Sequence, residues 1–363
     1  MRRYLIIAAI LAIFVVGFIF LRGPIPHIAI AAEELTTVGG VKITNTMVTS
    51  WVIVVLIILS LAFIMTRTWT IVPGGVQNFV EAVVEAFYNL VTGIAGEENG
   101  RRFFPVVASI FFFVLIANWM SLTPIFNAIG FVGHEEPVEQ QLEEHGYVEG
   151  IIMDRTKIGP IDLHYIPFSG LGNLRISSDD STIELDEPES PDKYQEAIED
   201  DKFVGELIPL FRGINTDLNT PLAIAIASAI AVEWWGISSL GLFAYGKKFI
   251  NFSGPIDFFV GILELISELV RLVSFTFRLF GNMFAGEVVI LMFTFLTPLL
   301  ITLPFYGLEL FVGVIQAFIF ASLTLVFGVM AVTSHDHDDE HAESHKAESI
   351  EESVHDAIAE PTG

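Results

Sequence analysis

From residue 256 to residue 297 the chain runs for 42 residues without a proline, most of them apolar. At 1.5 Å per residue, a continuous helix of that length reaches roughly 63 Å. The hydrocarbon core of a bilayer is about 30 Å thick and needs only about 20 helical residues to cross. Either an unmarked turn near Gly281 divides the stretch, or one helix crosses at a steep tilt. Steep tilt is costly where lipid surrounds a helix, and it makes sense where the helix lies flat against a partner in the membrane. A second apolar run at 305–332 follows Pro298 and Pro304, so the two runs form a hairpin.

The rest of the chain has the same character. Of its 363 residues 53% are hydrophobic, and further apolar runs occupy 4–21, 47–65, 104–122 and 221–243. The first follows Arg2 and Arg3 and precedes the small residues Ala29, Ala31 and Ala32; it reads equally as a signal peptide or as a spanning anchor. The formal charge of −25 is not spread evenly: 128–213 carries −14 and 335–363 carries −9. The acidity therefore belongs to two soluble segments on a nearly neutral membrane body. Cytoplasmic loops collect Lys and Arg. One threading places Arg2 and Arg3, Arg67, Arg101 and Arg102, and Lys247 and Lys248 all inside, with 24–46 and 128–213 outside and the C-terminus cytoplasmic. The segment 76–90 has apolar positions at helical spacing, with Glu81 and Glu85 one turn apart, and predicts an interfacial amphipathic helix. The organisation expected is a signal or anchor at 1–32, membrane helices over 33–127, and an acidic outer segment at 128–213, loosely ordered or a small domain. Membrane helices including the tilted hairpin follow at 214–333, and an acidic cytoplasmic tail at 334–363. The fold class is an all-α, polytopic membrane bundle.

Ionisable groups at membrane depth are costly, so they usually face protein or water and mark an ion or substrate path. The hairpin holds Glu264, Glu268, Arg271, Arg278, Glu287 and Glu309, together with Asn282 and Gln316. At 100° per residue Glu264, Arg271 and Asn282 fall within about 40° of Arg278, which makes one polar stripe. Glu287 lies nine residues beyond Arg278, so a regular helix points it to the opposite side. Glu309 and Gln316 are seven apart and share a face. An ordinary ion pair at the interface also accounts for Glu264, Glu268 and Arg271. Arg278 resists such a reading, because no acid lies within six residues of it on either side. Gly281, Ala285 and Gly286 permit close helix packing.

The segment Arg278-Leu-Phe-Gly-Asn282-Met-Phe-Ala-Gly-Glu287, followed by Gln316-Ala-Phe-Ile-Phe, resembles the subunit a family of F-type rotary ATP synthases. The resemblance extends to Glu264 and Arg271, to Thr216-Asp217-Leu-Asn219, to 118–124 (NWMSLTP) and to Val72-Pro-Gly-Gly-Val-Gln-Asn-Phe-Val-Glu81. It covers roughly 47–127 and 214–333. It implies a stator of a bacterial inner-membrane complex that shares an interface with a rotating ring of c subunits, each bearing one carboxylate. Further partners implied are the b-subunit peripheral stalk, the remaining synthase subunits and the lipid bilayer. Arg278 would correspond to the family's essential arginine. Glu287, Glu309, Asn282, Gln316 and Asp217 would line or support an outer half-channel, and Glu264 would sit toward an inner one. Two departures stand out. The family often carries one carboxylate and one histidine at the positions of Glu287 and Glu309, whereas both are Glu here; if they approach each other, the pair would share a proton. The segment 128–213 is also far longer than the family's usual loop.

Other chemistry is disfavoured. There is no basic patch for nucleic acid and no cysteine for disulfides or thiolate metal sites. No nucleotide loop of the GxxxxGK[ST] kind is present, so ATP chemistry would belong to partner subunits and no cofactor is expected. The tail gathers His335, His337, His341, His345 and His355 among acids. That composition is compatible with metal binding, but a solvated tail is the simpler reading and no metal is expected. A secondary transporter would show internal repeats, and none is found. A membrane scaffold displaying the acidic segment would leave Arg278 unexplained.

Overall fold

A computed structural model describes residues 28–67, 75–123, 125–132, 147–158, 161–165, 173–177, 203–205, 207–249, 254–296 and 302–333. The first apolar run and the His-rich tail lie outside the described residues. So does most of the acidic stretch between 133 and 206.

The chain is a helical membrane body. A short hairpin, β1 (Glu34–Val38) and β2 (Val41–Thr44), leads into α1 (Asn45–Arg67). Helix α2 (Val76–Ser121) follows, and after the central segment come α3 (Asn219–Leu240), α4 (Leu242–Lys247), α5 (Pro255–Leu296) and α6 (Thr302–Val332). Among the described residues, four helices are long and apolar enough to cross a membrane: Gln77–Ser121, α3, α5 and α6. Helix α1 adds an apolar stretch over Asn45–Ser60. The long proline-free stretch is resolved in favour of a single helix, because α5 keeps 42 residues together through Gly281. Helix α2 is interrupted at Gly96, whose φ of 77° lies in the left-handed region where a Cβ would be strained. The interruption separates the helix expected at 76–90 from the apolar run that follows. Pro105 stands nine residues beyond it.

The acidic segment holds more order than its composition suggests. Strands β3 (Ile129–Val132), β4 (Tyr147–Ile158), β5 (Ile161–Tyr165), β6 (Asn173–Ser177), β7 (Phe203–Gly205) and β8 (Leu207–Pro209) form a six-stranded antiparallel sheet. Its path runs β6-β4-β5-β3-β8, with β7 also paired to β4. Successive side chains on a strand face opposite sides, which brings Ile151 and Met153 to one face, where they bury with Leu207. The apolar stretch at 203–211 supplies β7, β8 and the return to the membrane body.

The chain packs as two compact units. In the first (1–86, 108–226 and 271–321), Ile53, Ala117 and Ile214 bury together, with Ile57, Phe113, Ile116 and Met120 against them. The second (87–107, 227–270 and 322–363) centres on Phe103 stacked on Trp235 at 4.2 Å, with Gly328 leaving room beneath the indole. Ser228 and Thr324 share a buried hydrogen bond of 2.7 Å there.

A polar site on the helical hairpin

In the first unit α5 and α6 pack antiparallel, so each step forward along one helix is a step back along the other. Phe275 meets Phe320 at 4.9 Å, Gln316 reaches Arg278, Gly286 meets Glu309, and Phe293 stacks on Phe305 at 4.3 Å. The apolar pairs at the ends hold the register and the polar groups fall between them.

Arg278 sits on the exposed side of α5. Its Nη2 donates a long hydrogen bond of 3.4 Å to Ser274 Oγ one turn back, and its guanidinium lies 5.9 Å from the Phe275 ring. No carboxylate among the described residues pairs with it. Asn282, one turn on, is exposed as well. Gln316 is 3% exposed and donates from Nε2 to the Arg278 carbonyl at 3.0 Å. Gln316 therefore holds the backbone that carries the arginine and leaves the guanidinium free to face outward.

Glu287 and Glu309 occupy another part of the hairpin. A Cβ built on Gly286 would collide with the Glu309 carboxylate. The glycine thus gives Glu309 the space to reach α5 beside Glu287, whereas a side chain added at Gly281 would meet nothing. Of the two glycines, Gly286 is the one that permits close approach. Glu287 Oε1 accepts a 2.7 Å hydrogen bond from Asn127 Nδ2, and Glu287 Oε2 is buried without a partner among the described residues. Asn127 was invisible to sequence reasoning. It is one polar residue in a turn, and its only local signal is that Asn tolerates the left-handed φ of 59° that it adopts.

The other two candidates each have partners of their own. Asp217 is 3% exposed, and its carboxylate accepts from Thr46 Oγ1 at 3.1 Å and from Asn219 Nδ2 at 3.2 Å. The backbone N–H of Asn219, at the start of α3, also donates to it at 3.4 Å, so Asp217 caps that helix. In the second unit Glu264 pairs with Lys248 at 2.8 Å, and Lys248 also reaches Glu268 at 3.5 Å. The loop after α4 thus supplies the cation for both carboxylates, and their pairing is not confined to their own helix.

Three further hydrogen bonds, two of them buried, lock α6 in place. Asn215 Nδ2 donates to Asn118 Oδ1 at 2.7 Å, Asn118 Nδ2 to the Gly313 carbonyl at 3.2 Å, and Trp119 Nε1 to the Leu310 carbonyl at 3.2 Å. These bonds tie the end of α2 and the turn before α3 to α6.

Comparison with known proteins bears on the same residues. The family model described as ATP synthase A chain matches residues 47–328, which includes every residue of the site. The chain is 26% identical over 302 residues to ATP synthase subunit a of Moorella thermoacetica, covering 83% of this chain and 97% of that one. It is 29% identical over 297 residues to the subunit a of Gloeobacter violaceus, covering 82% and 86%. It is 30% identical over 281 residues to ATP synthase subunit a 3 of Pelobacter propionicus, covering 77% and 83%. With a match that spans the hairpin, its lock and most of the remaining membrane helices, this chain belongs to the ATP synthase A chain family.

Proposed function

We propose that this chain is the membrane stator of a rotary F-type ATP synthase. It provides two aqueous half-channels that pass protons to and from the carboxylates of a c-subunit ring. The observation that carries the reading is Arg278, a cation on the exposed face of a 42-residue apolar helix with no carboxylate partner among the described residues. An unpaired charge at membrane depth is expensive, so its counterion has to come from outside the described residues. A ring carboxylate that moves past it meets that need.

The mechanism follows from charge. A guanidinium cannot realistically be deprotonated, so Arg278 favours the ionised form of each carboxylate that arrives and drives its proton off. The same charge stops protons from leaking directly between the two half-channels. Glu287 and Glu309 relay protons on the outer side, with Asn282 and Gln316 in support and Asp217 at the edge of the path. Glu264 serves the inner side. Since each proton enters and leaves through different half-channels, the ring has to turn. A unit charge that crosses 100 mV releases about 2.3 kcal/mol, so several protons are needed per ATP.

Partners on this reading are the c-ring, the b-subunit stalk and the other synthase subunits. The location is a bacterial plasma membrane with the C-terminus in the cytoplasm. Arg102 donates to Ser239 Oγ at 2.8 Å and also to Ser238, near the end of α3. That bond supports a threading in which Arg101, Arg102, Lys247 and Lys248 share one side.

The test is ATP-driven proton uptake in inverted membrane vesicles, comparing the native chain with Arg278→Ala at matched assembly. Uptake falls by at least a hundredfold while the complex stays intact. Undiminished uptake would overturn the reading and favour a scaffold.

A further inference from the structure

We infer that Asn127 is a positioning residue for Glu287, held in place by the root of the β-sheet. The inference rests on the reading of Glu287 as a proton relay. Its amide Nδ2 donates to Glu287 Oε1 at 2.7 Å, and Glu287 Oε2 lies buried with no partner among the described residues. One oxygen is thus fixed and the other is left open for a proton. A carboxylate bonded through one oxygen is held in orientation, and its unengaged oxygen keeps both lone pairs to take and release a proton.

The backbone around Asn127 is built to present the amide. Asn127 adopts a φ of 59°, the only non-glycine among the described residues with positive φ. Asn visits this region more readily than other side chains, yet still at some cost. The conformation is enforced from the sheet. The Asn127 N–H donates to the Phe211 carbonyl at 3.2 Å, and the Leu210 N–H donates to the Ile129 carbonyl at 2.9 Å. Strands β3 and β8 then pair from Gly130–Pro209 to Val132–Leu207. A Cβ at Gly130 would collide with the Ile208 carbonyl, so the two strands close tightly next to the turn. A strained turn stitched on one side by strand pairing, with its side chain bonded to a buried carboxylate, is a device for holding that carboxylate. It also gives the sheet a role in the membrane site, since the start of the β3–β8 pairing fixes the donor.

Passive proton conduction through the assembled membrane sector tests this with a double-mutant cycle. Asn127→Gly keeps the φ of 59° accessible and removes only the amide. In the native background conduction falls about tenfold, the low end for loss of a hydrogen bond to a charged group. In a Glu287→Asp background, where the shortened carboxylate no longer reaches the amide, Asn127→Gly changes conduction by less than twofold. An equal loss in both backgrounds would make Asn127 merely structural and overturn the inference. Native conduction in Asn127→Gly would overturn it as well. Asn127→Asp, isosteric but without the donor, guards against poor assembly and is expected to lose conduction at least as strongly. If neither variant assembles, Asn127 belongs to folding and the inference falls. Loss of uptake in Arg278→Ala alongside native conduction in Asn127→Gly would sink this inference and leave the proposed function standing.

Discussion

Asn45 and Glu287 are polar side chains on helices of one compact unit, and they are used in opposite ways. Asn45 is fully buried and every polar atom of its amide is engaged. Its Nδ2 donates to the Pro209 carbonyl at 3.2 Å and to Glu33 Oε2 at 3.0 Å, while its Oδ1 accepts from the Thr46 N–H at 2.9 Å and the Glu33 N–H at 3.3 Å. Glu287 spends one oxygen on Asn127 and leaves the other open, and Arg278 carries its charge on an exposed face. Burial of a polar group without partners is costly, so a fold keeps such groups only where they have work to do. The satisfied amide of Asn45 serves architecture, whereas the open oxygen of Glu287 and the outward charge of Arg278 are available for chemistry.

The comparison breaks most readily at Gly286. Valine there would displace the Glu309 carboxylate from its place against α5, because even a bare Cβ falls on it. Proton uptake per assembled complex in Gly286→Val is expected to fall at least tenfold. Gly281→Ala is the control, since nothing lies within 4 Å of an added Cβ, and it should leave uptake within twofold. Equal uptake in the two variants would mean that the Glu309 approach to α5 has no bearing on proton transfer.

At Asn45 the expectation is reversed. Asn45→Ala strips four hydrogen bonds and leaves buried partners unpaired, a loss of roughly 2–4 kcal/mol. The thermal midpoint of the complex should drop clearly, while uptake per assembled complex stays within twofold. A fall in specific uptake as large as the one at Gly286 would dissolve the distinction between architectural and chemical polar groups.

How much of this was legible in the sequence follows from range. The helical hairpin was legible because apolar length and the absence of proline are properties of one continuous stretch. Arg278 stood out because a cation without a nearby acid on an apolar helix is anomalous within a few turns. The continuity of α5 through Gly281 was not decidable, since glycine both tolerates and breaks helices. Asn127 gave no signal, because its meaning lies in a bond to Glu287, 160 residues away. The Lys248 pairing with Glu264 and Glu268 was hidden for the same reason: Lys247 and Lys248 read as a topology signal and the carboxylates as part of a helix stripe. The sheet was obscured because most of its strands are short and several of its pairings join segments far apart in the chain.

The smallest effect is expected where a charge is paired in full contact with water. Glu34 and Lys42 face each other across the β1–β2 hairpin at 2.6 Å. The ammonium of Lys42, with help from the Thr37 hydroxyl, holds the Glu34 carboxyl below its ordinary value of 4.5, and Glu34 in turn holds Lys42 above 10.5. A depressed carboxylate contributes its stability above the unfolded value and loses it as pH falls through the folded one. A raised lysine contributes below 10.5 and loses its share as pH climbs through its own folded value. The pair therefore acts between these limits, and solvent screening keeps it weak. Hydrogen exchange of the hairpin amides checks this: Glu34→Gln should reduce protection at pH 7 by no more than about fivefold. As pH falls through the lowered folded value the native and variant chains should draw together, because the native carboxyl is then protonated. A large loss of protection at pH 7 would mean that an exposed pair carries structural weight, and pairing would no longer mark the idle charges of this chain off from Arg278.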